Sequence, residues 1–121
     1  MYKINRAMLI DFYELTMANG YFEEGKHNEI VYFDFFSIIQ HDRGGFSLFA
    51  GLYHIIEYIK DLHFTKEDIE FLRSKDTFSE GFLNHLKDFK FTGDVYTFRE
   101  GSVMFPNEPV MTIRATLLEA Q

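Results

Sequence analysis

The chain has 121 residues, the length of one domain, with 46% hydrophobic and 26% charged residues as in soluble globular proteins. Its net charge of −7 argues against nucleic acid and anionic membranes as partners, and the absence of cysteine excludes disulfides and sulfur-based zinc sites. Fifteen Phe and seven Tyr mean that aromatic rings dominate any core or interface. Residues 1–12 do not resemble a signal peptide, so we expect a cytoplasmic protein.

The first predicted element is a helix that begins after an Asp11 N-cap and ends near Glu24, with Gly25 as its stop. Its large side chains fall on two opposite sides. One side carries Phe12, Leu15 and Phe22, and the other carries Tyr13, Met17 and Tyr21. Either the helix is sandwiched within the domain, or its Tyr13 side meets another chain or a flat ligand.

Residues 29–39 predict a β-strand in which both alternating sets of side chains are apolar, so we expect it to be covered on both faces. Asp34 interrupts this strand and needs a partner if it is buried. A helix with a single apolar stripe is predicted to begin after Gly51. The stripe consists of Leu52, Ile55, Ile56, Ile59 and Leu62.

Two further helices are predicted from their capping residues. Thr65 and Asp68 resemble a capping box, and Ser79 is a second N-cap. The side chains expected to point inward are Ile69, Leu72, Phe82, Leu83 and Leu86. From Phe89 onward the pattern predicts three short strands, separated by Glu100-Gly101 and by residues 106–109, and a final helix that begins near the last residue.

The polar residues offer weak candidates for chemistry. His54 and Glu57 share a helical face, but one such pair without a second does not indicate a metal site, and we expect it to be solvated. Asp11 could act in acid–base chemistry or serve the helix dipole. Thr16 could bind a ligand or donate back to a carbonyl. Arg43, in the stretch DRGG, could contact a phosphate or lie in a plain loop.

Several segments, in order and over essentially the whole chain, resemble the N-terminal domain of nicotinate phosphoribosyltransferases. They are DFYELTMANGYF, YFDFF, GGF, FAGL, FTKEDIEFL, FLNHLKDFKFTGDVY and EGSVMFPNEPVMTI. The resemblance implies an α+β fold, the α/β sandwich-like N-terminal domain of type II phosphoribosyltransferases, with a mixed sheet flanked by helices. It also implies that residues 1–121 form this single domain and that the catalytic barrel domain is absent from the chain.

The resemblance further implies an activity. Enzymes of that family condense nicotinate with phosphoribosyl pyrophosphate to form nicotinate mononucleotide in NAD salvage, and they couple this to ATP hydrolysis with Mg²⁺ through a phosphorylated histidine. Their active sites lie between the subunits of a head-to-tail homodimer. The barrel carries that histidine, which none of the five histidines here matches. We therefore expect no catalytic residue or bound cofactor in this chain, and no activity from it alone.

The same resemblance assigns three residues to nicotinate binding. The tyrosine that matches Tyr13 stacks on the pyridine ring of nicotinate held in the partner subunit's barrel, and Asp11 and Thr16 line the edge of that site. The family usually has a basic residue near the phosphate end of the ligand, but here Ser37 follows Phe36. Arg43 is a weak candidate for its replacement as a phosphate-binding residue.

Two other functions are compatible with part of the sequence. The chain could be a stand-alone binding or assembly module derived from the same family, because exposed aromatic residues are expected to bind another protein or a second copy of the chain. The hairpins of residues 93–113 could belong to a carrier module for biotin or lipoate, but such a module needs a modifiable lysine at a hairpin tip. Neither turn contains one.

Overall fold

A computed structural model describes residues 5–38 and 45–121. Within these ranges a short 3-10 helix, Arg6–Met8, precedes five α-helices and five strands. The helices are α1 (Phe12–Glu23), α2 (Leu52–Asp61), α3 (Lys66–Arg73), α4 (Glu80–Lys87) and α5 (Leu117–Ala120), and the strands are β1 (Ile30–Phe35), β2 (Ser47–Leu48), β3 (Asp94–Thr97), β4 (Val103–Met104) and β5 (Met111–Thr116). None of the helices in these ranges has the length and hydropathy of a membrane span.

The helices begin where the capping residues predict. Asp11 is the N-cap of α1, and Gly25, just beyond its end, has a φ of +70° that favours glycine. At α3 the Thr65 N–H donates to the Asp68 carboxylate at 2.8 Å, and the Asp68 N–H donates to the Thr65 hydroxyl at 3.2 Å. The Ser79 hydroxyl caps α4 in the same way. These predictions are confirmed.

The strands form two small antiparallel sheets. The first has the order β1-β5-β3, and the second pairs β2 with β4. The α+β class is therefore confirmed, whereas every pairing among the described strands is antiparallel rather than mixed. The connection from β3 to β5, residues 98–110, contains strand β4 and no helix, whereas a crossover between parallel strands usually contains one.

Two apolar cores hold the helices and the larger sheet. The first joins α1, α3, α4 and α5, and the second lies against the sheet. Their buried members are Leu15, Ala18, Ile69, Leu72, Phe82, Leu83, Leu86 and Leu118 in the first core and Phe49, Val110 and Met111 in the second. The inward residues predicted for α3 and α4 are all buried. By contrast, the apolar stripe of α2 is only partly covered, and α2 contains no buried residue.

Strand β1 differs from the prediction. It was expected to be covered on both faces, but Tyr32 is 64% exposed and Phe35 is 57% exposed. β1 lies at the edge of the sheet, where among the described strands it pairs only with β5, and the described residues leave most of these two rings uncovered. Asp34 is exposed as well, and its carboxylate accepts a hydrogen bond from the Thr112 hydroxyl at 2.6 Å. The rings of β1 therefore remain available to something outside these residues.

Gly93 lies where the chain enters β3 against β5. A Cβ atom added to Gly93 would stand 2.5 Å from the Ala115 Cβ and 2.5 Å from the Arg114 carbonyl oxygen. Backbone and a short buried side chain cannot move aside as a flexible side chain could. The glycine of the TGDVY stretch is therefore required by the close approach of two strands.

We expect Gly93→Ala to lower the free energy of unfolding by about 1–3 kcal/mol, because the added methyl group overpacks this contact. Gly20→Ala is the matched control. A Cβ at Gly20 meets no atom within 4 Å, so the better helix propensity of alanine should raise the free energy of unfolding by about 0.5–1 kcal/mol. Urea unfolding of both variants measures the change in the free energy of unfolding and its sign. An unchanged free energy of unfolding in Gly93→Ala would contradict the close approach of the two strands.

Candidate functional site

The outward side of α1 forms an uncovered surface that we call the Tyr13 face, consisting of Tyr13, Thr16, Met17 and Gly20. Tyr13, Met17 and Gly20 follow one another at helical spacing, and Tyr13 is 59% exposed while Met17 is 41% exposed. Among the described residues, nothing forms a hydrogen bond with the Tyr13 hydroxyl or stacks on its ring. An aromatic ring beside a glycine is thus presented to the outside.

The opposite side of α1 is fixed to α4. Leu15 and Ala18 are buried, and the side-chain oxygen of Asn19 accepts a hydrogen bond from the Ser79 N–H at 3.0 Å. The Ser79 hydroxyl also donates to the Glu23 carboxylate. Because these contacts span more than two turns, the helix cannot rotate about its axis without breaking them. The direction of Tyr13 is therefore set by the packing on the other side.

Asp11 and Thr16 lie within the first turns of the same helix as Tyr13. Asp11 is the exposed N-cap, and its backbone N–H donates to the Glu14 carboxylate at 3.2 Å. The Thr16 hydroxyl donates to the Tyr13 carbonyl at 2.8 Å, as a mid-helix threonine often does, and its lone pairs remain able to accept. The three residues predicted for nicotinate binding therefore lie on one helix, with Thr16 on the Tyr13 face and Asp11 at the N-cap, outside that face. Arg43 lies outside the described residues.

Glu100 has a role that the sequence did not reveal. Its carboxylate accepts hydrogen bonds from the Gly51 N–H at 2.8 Å and from the Leu52 N–H at 2.9 Å, at the N-terminus of α2. These backbone donors hold the pKa of Glu100 below its ordinary value. The carboxylate occupies the place where an anionic ligand would meet the helix. No local signal marks this contact, because its partners are about fifty residues apart.

The described residues contain no group of three or more His, Asp or Glu side chains that could hold a metal ion. His54 and Glu57 are both exposed on α2, as predicted for a solvated pair. Within the described ranges, the uncovered Tyr13 face on α1 is therefore the strongest candidate for a functional surface.

Comparisons with known proteins identify the same family that the sequence motifs resemble. Residues 8–121 match the family model of the nicotinate phosphoribosyltransferase N-terminal domain. Nicotinate phosphoribosyltransferase pncB2 of Mycobacterium tuberculosis (strain CDC 1551 / Oshkosh) is 37% identical over 115 residues, which cover 95% of this chain and 25% of that protein. The nicotinate phosphoribosyltransferase of Bacillus subtilis (strain 168) is 36% identical over 92% of this chain and 23% of its own length.

A solved structure has the same fold. The crystal structure of human nicotinic acid phosphoribosyltransferase matches with a TM-score of 0.83 at 30% identity, over 92% of this chain and 23% of that one. The chain therefore spans about a quarter of the length of the relatives it matches.

We expect Glu100→Gln to loosen the first turn of α2, because the amide loses the negative charge that the helix N-terminus favours. Faster amide hydrogen exchange at Gly51 and Leu52 would measure this. Because the pKa of Glu100 is lowered in the folded state, its stabilising effect is complete above the ordinary pKa of a glutamate and is lost as the pH falls through the lowered value.

Glu57→Gln is the control for this change, since Glu57 is exposed on the same helix and makes no hydrogen bond among the described residues. It should leave the exchange rates at the N-terminus of α2 unchanged. Equal rates in the two variants would mean that Glu100 does not hold this turn.

Proposed function

The chain belongs to the nicotinate phosphoribosyltransferase family, as its motifs indicated, and on that premise we propose that it is the N-terminal domain of an enzyme that condenses nicotinate with phosphoribosyl pyrophosphate. The product would be nicotinate mononucleotide, an intermediate of NAD salvage. The names of the relatives support this reaction, and their greater length supports a larger enzyme. The 121 residues alone would not catalyse it.

ATP and Mg²⁺ would take part in the same enzyme, but not through this domain. Its described residues offer no cluster of carboxylate and imidazole groups that could hold a metal ion. We place both ATP and Mg²⁺ in the part of the enzyme beyond residue 121, together with the histidine that would be phosphorylated.

The contribution of this domain would be Tyr13. The observation that supports this role is its large exposed fraction on a helix whose other side is fixed to α4. A phenol ring that projects from an anchored helix offers a flat surface on which a pyridine ring can stack, and the backbone that carries the ring loses little conformational entropy on binding because the helix is already held. Its hydroxyl is free to form a hydrogen bond.

Asp11 and Thr16 would line the edge of the same site. The Thr16 hydroxyl oxygen can still accept a hydrogen bond, although its proton is committed to the Tyr13 carbonyl. Asp11 carries a negative charge that would repel the carboxylate of nicotinate at short range. We therefore place Asp11 at the far side of the ring, where it would mainly hold the start of α1.

The nicotinate would be bound by a neighbouring subunit of a homodimer. Tyr13 points away from the core of its own domain, and Tyr32 and Phe35 of β1 are uncovered as well. Exposed rings at separate places on one small domain are typical of surfaces that meet other domains or subunits. An active site assembled between subunits would use the Tyr13 face without requiring it to fold back on its own chain.

The alternative is a stand-alone binding or assembly module derived from this family. The same exposed rings favour it, because they would bind a protein partner equally well. The two functions differ in what Tyr13 contacts. In the enzyme it affects the affinity for nicotinate, whereas in the module it affects only association with another protein.

Substitution of Tyr13 in the full-length enzyme tests the proposal. Tyr13→Phe keeps the ring and should keep most of the affinity for nicotinate. Tyr13→Ala removes a stacking contact worth about 1–2 kcal/mol, so the KM for nicotinate should rise roughly tenfold. Steady-state kinetics with nicotinate as the varied substrate measures this.

Tyr53→Ala is the matched control, because Tyr53 is a tyrosine of α2 that is 67% exposed and lies outside the Tyr13 face. It should leave the KM for nicotinate unchanged. If Tyr13→Ala behaves like the control, Tyr13 is an interface residue without contact to the substrate.

A further inference from the structure

The flank of α1 between the Tyr13 face and the buried side carries a stripe of three side chains. They are Phe12, Asn19 and Glu23, which belong to the first turn, the third turn and the end of the helix. With 3.6 residues per turn, the three side chains project within about 40° of one another. The stripe lies about a quarter turn from Tyr13, so it is separate from the surface that Tyr13 presents.

All three side chains contact the same two residues, Phe78 and Ser79, which directly precede α4 and which we call the α4 clamp. The rings of Phe12 and Phe78 make an edge-to-face contact with centroids 5.6 Å apart. The Ser79 N–H donates to Asn19 Oδ1 at 3.0 Å, and the Ser79 hydroxyl donates to the Glu23 carboxylate. The α4 clamp therefore holds both ends of α1 from one point of the chain.

The α4 clamp is itself fixed to the core. The Ser79 hydroxyl accepts a hydrogen bond from the Phe82 N–H at 3.2 Å, and the Phe78 ring stacks on the Phe82 ring with centroids 5.9 Å apart. Phe82 is fully buried. Because the clamp is tied to a buried residue of α4, it stays in place if α1 rotates, and its contacts with α1 would then break.

The hydrogen bonds of the stripe, rather than the apolar packing of α1, determine how far this helix can rotate. The contacts of Leu15 and Ala18 are apolar, and hydrophobic attraction has no preferred direction. A hydrogen bond weakens steeply as its angle departs from linear. Of the two polar side chains, Glu23 is exposed at the helix end, whereas Asn19 is half-buried. Asn19 therefore makes the contact that restricts rotation most.

We propose that Asn19 is a positioning residue for nicotinate, because it fixes the rotation of α1 and with it the place of the Tyr13 ring. Cα atoms lie about 2.3 Å from a helix axis and a tyrosine ring extends well beyond them, so a rotation of about 10° moves the ring by about 1 Å. Contacts between atoms weaken over displacements of that size. This role rests on the proposed function of Tyr13, through which Asn19 acts.

Steady-state kinetics of Asn19→Ala in the full-length enzyme tests this role. The KM for nicotinate should rise about three- to fivefold, which is less than the effect of Tyr13→Ala, because displacing a ring loses less binding than removing it. The kcat and the KM for phosphoribosyl pyrophosphate should not change. A variant that is partly unfolded would instead show a lower apparent kcat with an unchanged KM.

Two further variants identify the route by which Asn19 acts. Asn19→Asp keeps an oxygen acceptor for the Ser79 N–H at the start of α4, where a negative charge is favourable, so it should restore the KM for nicotinate. In an enzyme that already carries Tyr13→Ala, the change Asn19→Ala should raise this KM no further, because no ring is left to position.

Arg73→Gln is the matched control. Arg73 Nε donates to the Glu80 carboxylate at 2.7 Å, so the substitution removes a side-chain contact at the start of α4 that joins this helix to α3 rather than to α1. It should leave the KM for nicotinate unchanged. An equal rise in this variant would overturn the inference, because any disturbance at the start of α4 would then have the same effect.

Three other results would overturn the role of Asn19. They are an unchanged KM for nicotinate in Asn19→Ala, a raised KM that Asn19→Asp does not restore, and an equal rise with and without the Tyr13 ring. The proposed function fails separately. If Tyr13→Ala raises the KM for nicotinate and Asn19→Ala does not, only the role of Asn19 is lost, whereas an unchanged KM in Tyr13→Ala removes both.

Discussion

The packing of α1 against α4 is the contact on which the rest of the domain depends. Leu15 and Ala18 supply its apolar part, and Ser79 joins the two helices through Asn19 and Glu23 while it also caps α4. Because one residue is both a cap and a bridge between helices, the start of α4 and the rotation of α1 are set together. The Tyr13 face follows from this arrangement, since a helix held on one side must present the other.

The domain leaves two surfaces uncovered, and they differ in kind. The Tyr13 face offers one ring on a rigid helix, which suits a small planar ligand. Strand β1 offers a row of rings at a sheet edge, which suits a broad protein surface. A domain that works within a larger enzyme accounts for both.

The sequence predicted the local structure well, because caps and apolar periodicity are local signals. Thr65, Ser79 and the inward residues of α3 and α4 lie as expected, and the two apolar sides of α1 were recognised, although the pattern left open which of them is uncovered. Long-range features could not be found in this way. The place of β1 at the sheet edge depends on where β5 returns, and the cap that Glu100 provides for α2 joins residues far apart in the chain.

The candidate site could be predicted only in part from the sequence pattern. Periodicity placed Tyr13 opposite Leu15 but left open whether that side was sandwiched within the domain or faced outward. Its proposed function came from resemblance to a family, because a helix surface carries no signature of the ligand that a second subunit would bring. The same limit applies to the apolar stripe of α2. An amphipathic stripe predicts that α2 is covered, yet it cannot say whether the covering residues lie within the chain or beyond it.

The most direct test of the whole account is the native mass of the protein purified from the cells that produce it, measured by mass spectrometry under conditions that preserve subunit contacts. The account predicts a subunit several times heavier than the 14.4 kDa of these 121 residues, assembled in pairs. A free subunit of 14.4 kDa would contradict it, because an active site shared between the subunits of a larger enzyme would then not exist.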